Sequence, residues 1–176
     1  MKGKPVVDPV YMTATYKFDT SDDLIDVVQN RSGYIYSRWD NPSVAAVETE
    51  LAKLEGYASS VGFGSGMAAI TTAVMAHVKA GDRIVSTQEI YGGTYELLHD
   101  TLPAYHVDTV MINCWDQERL LAEIDKGLTL LYLETPTNPL LRVVDIKALA
   151  DAAHAKGAVV LLDSTFASPV NQHPVE

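Results

Sequence analysis

Four short apolar runs, separated by helix-like segments, constrain the fold of this chain more than any other feature. Strand-length runs lie at 83–87, 107–112, 128–133 and 159–162. Helical patterns lie at about 42–55, 66–78, 94–102 (closed by Pro103), 117–124 and 146–156. Alternating strands and helices with largely apolar strands are typical of a parallel sheet covered by helices on both faces. The sequence therefore predicts an α/β fold.

Residues that favour helix boundaries mark several of these helices. Asn41 followed by Pro42 predicts the start of the first long helix, and Gly56 predicts its end. Asp116 and Asp145 predict the starts of two later helices. Within the first long helix, apolar residues recur at helical spacing: Val44, Val47, Leu51 and Leu54.

The first 40 residues lack a regular period, apart from a short helix predicted at 22–29. We expect residues 1–40 to form an extended arm that covers its own domain or reaches a neighbouring subunit. Residues 41–176 then form the N-terminal part of a larger domain. No internal repeat divides that domain further.

The composition excludes several classes of protein. Apolar residues make up 47% and charged residues 20% of the 176 residues, as in soluble globular proteins. No apolar run approaches the roughly 20 residues of a membrane span, and no signal peptide begins the chain, so we expect a cytoplasmic protein. A net charge of −10 without a Lys/Arg cluster argues against nucleic acid. Neither the single Cys114 nor the five scattered His residues have the spacing of metal ligands.

A glycine-rich turn runs into an apolar helix at 65–69. The turn, Ser65-Gly66-Met67-Ala68-Ala69, leaves backbone N–H groups open at a helix N-terminus, where the helix dipole also favours an anion. Small residues would let a phosphate group come close. Many helices begin with Ser-Gly and bind nothing, so the turn alone does not establish a phosphate site.

Three polar residues follow predicted strand ends, where ligands bind in parallel sheets: Tyr91, Glu134 and Asp163. Tyr91, beside Gly92 and Gly93, offers a ring on which another flat ring could stack. Asp163 ends the last strand, and its carboxylate would need a partner such as a protonated pyridine nitrogen. Asn138, in a proline-stiffened turn, could donate to a phenolate-like oxygen. Each also has a purely structural interpretation as a turn or capping residue.

A phosphate-binding turn, a stacking ring and a partner for a ring nitrogen together suggest pyridoxal phosphate as the ligand. Tyr36 and Arg38 add a phenol and a guanidinium at positions i and i+2 of the arm, so both could point toward one phosphate dianion. Their alternative interpretation is a half-exposed strand.

The order of these residues resembles the Cys/Met-metabolism family of pyridoxal-phosphate enzymes, the transsulfuration group of fold type I. The chain looks most like the cystathionine gamma-synthase, cystathionine gamma-lyase and methionine gamma-lyase branches. The resemblance implies the fold of the N-terminal part of the large domain, incomplete at its C-terminus, and a homotetramer built as a dimer of dimers. The matching segments lie at 36–38, 64–69, 91–95, 134–139 and 163–166.

The resemblance implies that two sets of residues hold the cofactor phosphate. Ser65, Gly66 and Met67 would bind it from within the same subunit. Tyr36 and Arg38 would reach the phosphate of a neighbouring subunit, which makes an oligomer necessary for a complete site.

The resemblance also implies roles around the cofactor ring. Tyr91 would stack on the pyridine ring and help move protons at the substrate, and Asp163 would bind the ring nitrogen; these two are the expected catalytic residues. Asn138 would approach the ring hydroxyl, and Thr165 would lie near the ring. Glu134 is a weaker assignment.

The implied reaction is gamma-replacement or gamma-elimination on sulfur amino acids, with O-acylhomoserine sulfhydrylase activity as an alternative. The family's Schiff-base lysine and substrate-binding arginine would lie beyond Glu176. We therefore expect this chain alone to carry no lysine-linked cofactor and to need a C-terminal part for activity. It is then a segment of a longer polypeptide, half of a two-chain enzyme, or a truncated, non-catalytic subunit.

A rival from another class is a nucleotide-binding oxidoreductase. Gly62-Phe63-Gly64 loosely imitates the start of a dinucleotide fingerprint, and Glu89 lies roughly where its ribose-binding acid would fall. Against this rival, Met67 takes the place of the third glycine, and no clear strand precedes the turn.

Overall fold

The structure, a computed structural model, describes residues 6–175 and contains two compact units. The first comprises 6–62 together with Val175, and the second comprises 63–174. Residues 1–5 of the predicted arm, and Glu176, lie outside the described residues.

The first unit contains two helices with well-formed ends. Helix α1 (Ser21–Asn30) begins at Thr20, whose side chain caps it in a reciprocal capping box, and α2 (Pro42–Glu55) begins at Asn41. The Asn41 side chain accepts a hydrogen bond from the backbone N–H of Ser43 at 2.9 Å. Gly56 ends α2 with a φ of 75°, a left-handed conformation that favours glycine. Both helix predictions are confirmed.

Asn41 also connects the start of α2 to earlier parts of this unit through its side chain. The buried side-chain amide of Asn41 donates to the carbonyl oxygen of Tyr11 at 3.0 Å and to the hydroxyl of Ser37 at 3.0 Å. A single antiparallel bridge joins Thr15 to Tyr36. Apart from α1, residues 6–40 contain little regular secondary structure, and they are tied to the start of α2 through Asn41.

A four-stranded parallel sheet forms the centre of the second unit. The strands are β1 (Arg83–Thr87), β2 (Asp108–Ile112), β3 (Leu130–Glu134) and β4 (Val159–Asp163). Their spatial order is β2-β1-β3-β4, and every pairing is parallel. The predicted α/β fold with a parallel sheet is confirmed.

Helices cover both faces of the sheet, as predicted. They are α3 (Gly66–His77), α4 (Gly92–Glu96), α5 (Gln117–Asp125), α6 (Ile146–Ala155) and the short α7 (Ser168–Asn171). Val85 and Leu131 point toward α5 and α6, whereas Ile84 and Leu130 point toward α3 and α4, because successive strand residues face opposite sides. Both faces are apolar, which is the condition for a buried parallel sheet.

The predicted caps of α5 and α6 are confirmed. The carboxylate of Asp116 accepts from the backbone N–H of Arg119 at 3.1 Å, and that of Asp145 accepts from Ala148 at 3.0 Å. Each cap satisfies an N–H group that has no partner within its helix.

The prediction of one helix at 94–102 that ends before Pro103 is wrong. Helix α4 begins at Gly92 and continues as a π-helical turn, Leu97–Thr101, and then a 3₁₀ turn, Leu102–Tyr105. Pro103 lies in the first turn of this last segment, where its missing N–H costs little. Burial of Leu98 and Leu102 holds the irregular segment against the sheet.

Candidate active site

A cavity of about 430 Å³ opens where the strand order reverses. The chain places β2 on one side of β1 and then crosses to place β3 on the other side. The connections that leave the carboxyl ends of β1 and β3 therefore run in opposite directions, which makes this a switch point. The volume lies in the range of small-molecule sites. The lining residues are Ser65, Gly66, Met67, Ile70, Tyr91, Glu134, Pro136, Asn138, Asp163, Thr165 and Phe166.

Seven of the predicted site residues therefore surround one cavity. They come from four separate segments: the start of α3, the loop after β1, the loop after β3 and the loop after β4. These residues are Ser65, Gly66, Met67, Tyr91, Asn138, Asp163 and Thr165.

The N-terminus of α3 presents backbone donors to this cavity. The Ser65 hydroxyl accepts from the N–H of Ala68 at 3.1 Å. Among the hydrogen bonds of residues 6–175, the N–H groups of Gly66 and Met67 have no acceptor. A Cβ atom on Gly66 would meet nothing within 4 Å, so the space beside these donors is open. Free donors, an open approach and the helix dipole fit the phosphate group of a ligand.

The ring of Tyr91 borders the cavity at the start of α4 and is 49% exposed. Gly93 makes its position possible: a Cβ there would lie 2.9 Å from Tyr91 Cε1 and 2.9 Å from Met67 Sδ. A Cβ on Gly92 would meet no atom within 4 Å. The half-exposed ring offers one free face for stacking.

Asp163 reaches the cavity from the end of β4, and both of its carboxylate oxygens accept hydrogen bonds. The backbone N–H and hydroxyl of Thr165 donate to Oδ1 at 3.0 and 2.6 Å, and the hydroxyl of Tyr132 donates to Oδ2 at 3.3 Å. Asp163 thus caps its own turn, as the structural interpretation predicted. No Lys, Arg or His side chain of residues 6–175 pairs with it. This carboxylate fits a cationic partner from a ligand.

Glu134 lies at the centre of the site, although sequence reasoning gave it only a weak assignment. Its side chain is 4% exposed, and its Oε2 accepts the backbone N–H of Tyr91 at 2.7 Å. Burial raises the pKa of Glu134, the N–H of Tyr91 opposes that shift, and the charge of Asp163 raises the pKa further. Glu134 thereby joins the end of β3 to the loop that carries the aromatic ring.

Tyr132 is a site residue that sequence reasoning missed, because it lies inside an apolar strand run. Its side chain is 2% exposed and faces the same side of the sheet as Glu134, two residues later. Burial, followed by the charge of Asp163, raises the pKa of Tyr132. Strand alternation counted back from Glu134 was the signal that could have identified it.

Tyr36 and Arg38 lie together in the first unit. The Arg38 guanidinium carbon is 4.9 Å from the centre of the Tyr36 ring, a cation–π distance. The structure thus places the phenol and the guanidinium side by side. Their contact with a phosphate of a neighbouring subunit stays a prediction.

The features of the oxidoreductase rival do not form a dinucleotide site. No strand lies between Gly56 and Gly66, so the glycine turn lacks the preceding strand of that motif. The Glu89 carboxylate accepts the backbone N–H of Cys114 at 2.7 Å instead of facing a ribose site.

The part of the chain that the structure describes lacks two further kinds of feature. Within it, no group of three or more His, Cys, Asp and Glu side chains is arranged to hold a metal ion. None of its helices combines the length and apolarity needed to cross a membrane.

Comparison with known proteins assigns the chain to one family. A family model described as Cys/Met metabolism PLP-dependent enzyme matches residues 2–176. The chain is 39% identical over 170 residues to a probable cystathionine gamma-synthase of Herpetosiphon aurantiacus, covering 97% of this chain and 51% of that relative. It is 38% identical over 170 residues to an L-methionine gamma-lyase of Porphyromonas gingivalis, covering 96% and 43%.

A solved structure shares the fold. The structure of cystathionine gamma synthase from Xanthomonas oryzae pv. oryzae in complex with cystathionine matches with a TM-score of 0.86 and 31% identity. The match covers 97% of this chain and 42% of that protein. The chain therefore spans about half, or less than half, of the length of these relatives.

Proposed function

This chain belongs to the Cys/Met metabolism PLP-dependent enzyme family, and we propose that it supplies the cofactor site of an enzyme of sulfur amino acid metabolism. The observation that carries the proposal is the single cavity bordered by Gly66, Tyr91 and Asp163. A helix N-terminus, an aromatic ring and a carboxylate that forms no ion pair among the described residues match the phosphate, the ring and the ring nitrogen of pyridoxal phosphate.

Different residues of the cavity bind different parts of the cofactor. The N–H groups of Gly66 and Met67, beside Ser65, bind the phosphate, and the ring of Tyr91 stacks on the pyridine. Asp163 pairs with the protonated ring nitrogen, and Asn138 donates to the ring hydroxyl. When bound, pyridoxal phosphate supplies an electron sink for a carbanion on the substrate amino acid.

Tyr91 is also the residue we assign to proton movement at the substrate. Its half-exposed ring lies at the mouth of the cavity, and its backbone is anchored by the buried Glu134. A phenol on an anchored loop can meet the substrate without losing its position. Thr165 keeps Asp163 in place from the exposed side.

The reaction class we propose is gamma-replacement or gamma-elimination. Relatives named cystathionine gamma-synthase and L-methionine gamma-lyase support this class. A relative named homocysteine synthase supports a sulfhydrylase reaction as the alternative. Because the chain spans about half the length of its relatives or less, we propose that catalysis needs a further C-terminal part, which would carry the lysine that binds the cofactor.

Assembly is part of the same proposal. Tyr36 and Arg38 would complete the phosphate site of a neighbouring copy in a cytoplasmic homotetramer. The stacked guanidinium and phenol support this role because they already lie side by side, with Tyr36 at the start of a turn that carries Arg38.

Titration with pyridoxal phosphate tests the cofactor site. The chain should bind the cofactor, and Asp163→Asn should weaken binding by about tenfold or more, since a charged hydrogen-bond partner is lost. Asp151→Asn, an exposed carboxylate on α6 that pairs with Lys147, is the matched control and should bind normally. Absence of binding by the unaltered chain would favour the non-catalytic subunit instead.

The reaction is tested on the natural gene product. Its intact mass and absorbance spectrum would show whether a longer polypeptide or a second chain carries the cofactor. Release of a 2-oxo acid from cystathionine or methionine, or formation of cystathionine from an O-acylhomoserine and cysteine, would identify the reaction. Failure of all three reactions with cofactor bound would contradict the proposed activity.

A further inference from the structure

A buried tyrosine of the central sheet has no role in the function proposed above. Tyr132 lies in β3 and is 2% exposed. A buried phenol must find a partner for its hydroxyl, because leaving it unpaired costs free energy. Its apolar ring packs with Ile84 and Leu130, so packing alone would be served equally well by a phenylalanine.

The partner of this hydroxyl is fixed by the strand register. Tyr132 pairs with Leu161, and Glu134 pairs with Asp163, so Tyr132 and Asp163 lie diagonally on the same face of neighbouring strands. The Tyr132 hydroxyl lies 3.3 Å from Asp163 Oδ2. The contact is therefore built into the sheet and does not depend on a loop.

The two oxygens of Asp163 are held from opposite sides. Thr165 donates to Oδ1 from an exposed turn, whereas Tyr132 donates to Oδ2 from the buried interior. A group on a rigid strand fixes the orientation of a carboxylate better than a group on an exposed turn. Tyr132 is thus the rigid half of this arrangement.

We propose that Tyr132 is a positioning residue that orients the Asp163 carboxylate toward the cavity, so that the site discriminates a protonated ring nitrogen from a plain aromatic ring. The proposal rests on the proposed function, because it assumes that a pyridoxal-type ring enters this cavity. Without the hydroxyl, Oδ2 is free to turn away, and the pairing with the ring nitrogen weakens. Contacts to the phosphate and to the face of the ring are unaffected.

The surroundings keep this phenol a hydrogen-bond donor. Three side chains act on its hydroxyl: Thr94 of α4, Asp163 of β4 and Glu134 of the same strand. Burial and the two carboxylates raise the pKa of Tyr132, and Thr94 opposes the shift. The phenol therefore remains protonated in the pH range in which Asp163 must accept its hydrogen bond.

The test compares two ligands on three proteins by isothermal titration calorimetry: the unaltered chain and two Tyr→Phe variants. One ligand is pyridoxamine 5′-phosphate, and the other is its analogue with C–H in place of the ring nitrogen. Tyr132→Phe should bind pyridoxamine 5′-phosphate about tenfold more weakly, the usual effect of losing one hydrogen bond to a charged group. The same variant should bind the analogue as tightly as the unaltered chain. Tyr105→Phe, the same change at an exposed position, should alter neither affinity.

A spectroscopic measurement complements the affinities. Absorbance of bound pyridoxamine 5′-phosphate reports protonation of its ring nitrogen, and Tyr132→Phe should move the loss of that proton to lower pH. Tyr132→Leu, which keeps an apolar side chain in β3, is the second variant and should show the same selective loss. It provides the answer if Tyr132→Phe does not fold.

Three results would overturn the proposal. The third of them would also contradict the proposed function, whereas the first two would not. An equal loss of both ligands in the variant would show a structural role for Tyr132. Unchanged affinity for both ligands would show no role in binding. Failure of the unaltered chain to bind either ligand would contradict the proposed function itself and this inference with it.

Discussion

The two compact units of this chain are each stabilised internally, but by different kinds of interaction. The unit at 63–174 buries apolar side chains on both faces of a parallel sheet, with Ile84, Val85, Leu130 and Leu131 fully buried. The unit at 6–62 buries only Ala52 and the polar Asn41 among its described residues. A sheet covered on both faces has its own core, whereas the first unit, with two helices and little buried apolar surface, depends on caps and polar contacts.

The apolar residues of the first unit remain exposed instead. On α2, Val47 is 59% and Leu51 is 46% exposed, and on α1 Val28 is 57% exposed. Apolar helix faces of this kind often mark surfaces where proteins associate. The comparison therefore agrees with the proposed assembly, in which the first unit contributes residues to a neighbouring copy.

The largest expected effect separates the cores of the two units. Leu131→Ala should lower the free energy of unfolding by about 2–5 kcal/mol, because it removes a fully buried side chain and leaves a cavity. Leu51→Ala on the exposed face of α2 should cost less than about 1 kcal/mol. Denaturant titration measures both. A comparable loss in the second variant would mean that the face of α2 is covered in solution.

The next effect concerns the polar centre of the first unit. Asn41→Ala should cost about 1–3 kcal/mol, because it removes a helix cap and leaves the Tyr11 carbonyl without its donor. Hydrogen exchange should accelerate at the first turn of α2 and leave β3 unchanged. Asn30→Ala, whose exposed amide contacts Asp26, is the control and should change little. Uniform acceleration across the sheet would contradict independent stabilisation of the two units.

A smaller effect tests the cavity of the second unit. Gly93→Ala places a Cβ 2.9 Å from the Tyr91 ring and from Met67, so the ring must move. Affinity for pyridoxal phosphate should fall by roughly two- to tenfold, as expected for a disturbed stacking contact. Gly92→Ala meets no neighbour within 4 Å and should bind normally. Equal affinities of the two variants for pyridoxal phosphate would show that the ring of Tyr91 does not contribute to binding.

The smallest effect is a pH dependence of stability. Since burial raises the pKa of Glu134 in the folded chain, stability should decline as pH rises from the usual value of 4.5 toward the raised value. Glu134→Gln does not titrate, so its stability relative to the unaltered chain should be more favourable at pH 7 than at pH 4. Glu96→Gln, at an exposed position, is the control. Unfolding measurements that give the same difference at both pH values would contradict a buried, titrating Glu134.

Local patterns predicted the elements of the fold well because local interactions form them. Asn41, Asp116 and Asp145 cap the helices at which they were expected, since a cap depends only on the nearest backbone N–H groups. The irregular segment around Pro103 was predicted wrongly. There, burial of Leu98 and Leu102 against the sheet overrode the ordinary tendency of proline to end a helix.

The candidate site was predicted in part, for a similar reason. Ser65, Tyr91 and Asp163 stand next to glycines or at strand ends, so the sequence around them carries a signal. Tyr132 has no such signal, because an apolar strand run conceals a phenol whose role depends on its neighbour in another strand.

The sequence by itself determined the alternation of strands and helices, the caps and the identity of several segments that line the cavity, because each depends on residues close together in the chain. Only the tertiary structure decided which apolar faces are buried, that Glu134 anchors the Tyr91 loop, and that Tyr132 contacts Asp163. Those outcomes depend on strand order and register, which bring together residues such as Tyr91 and Glu134 that lie 43 positions apart.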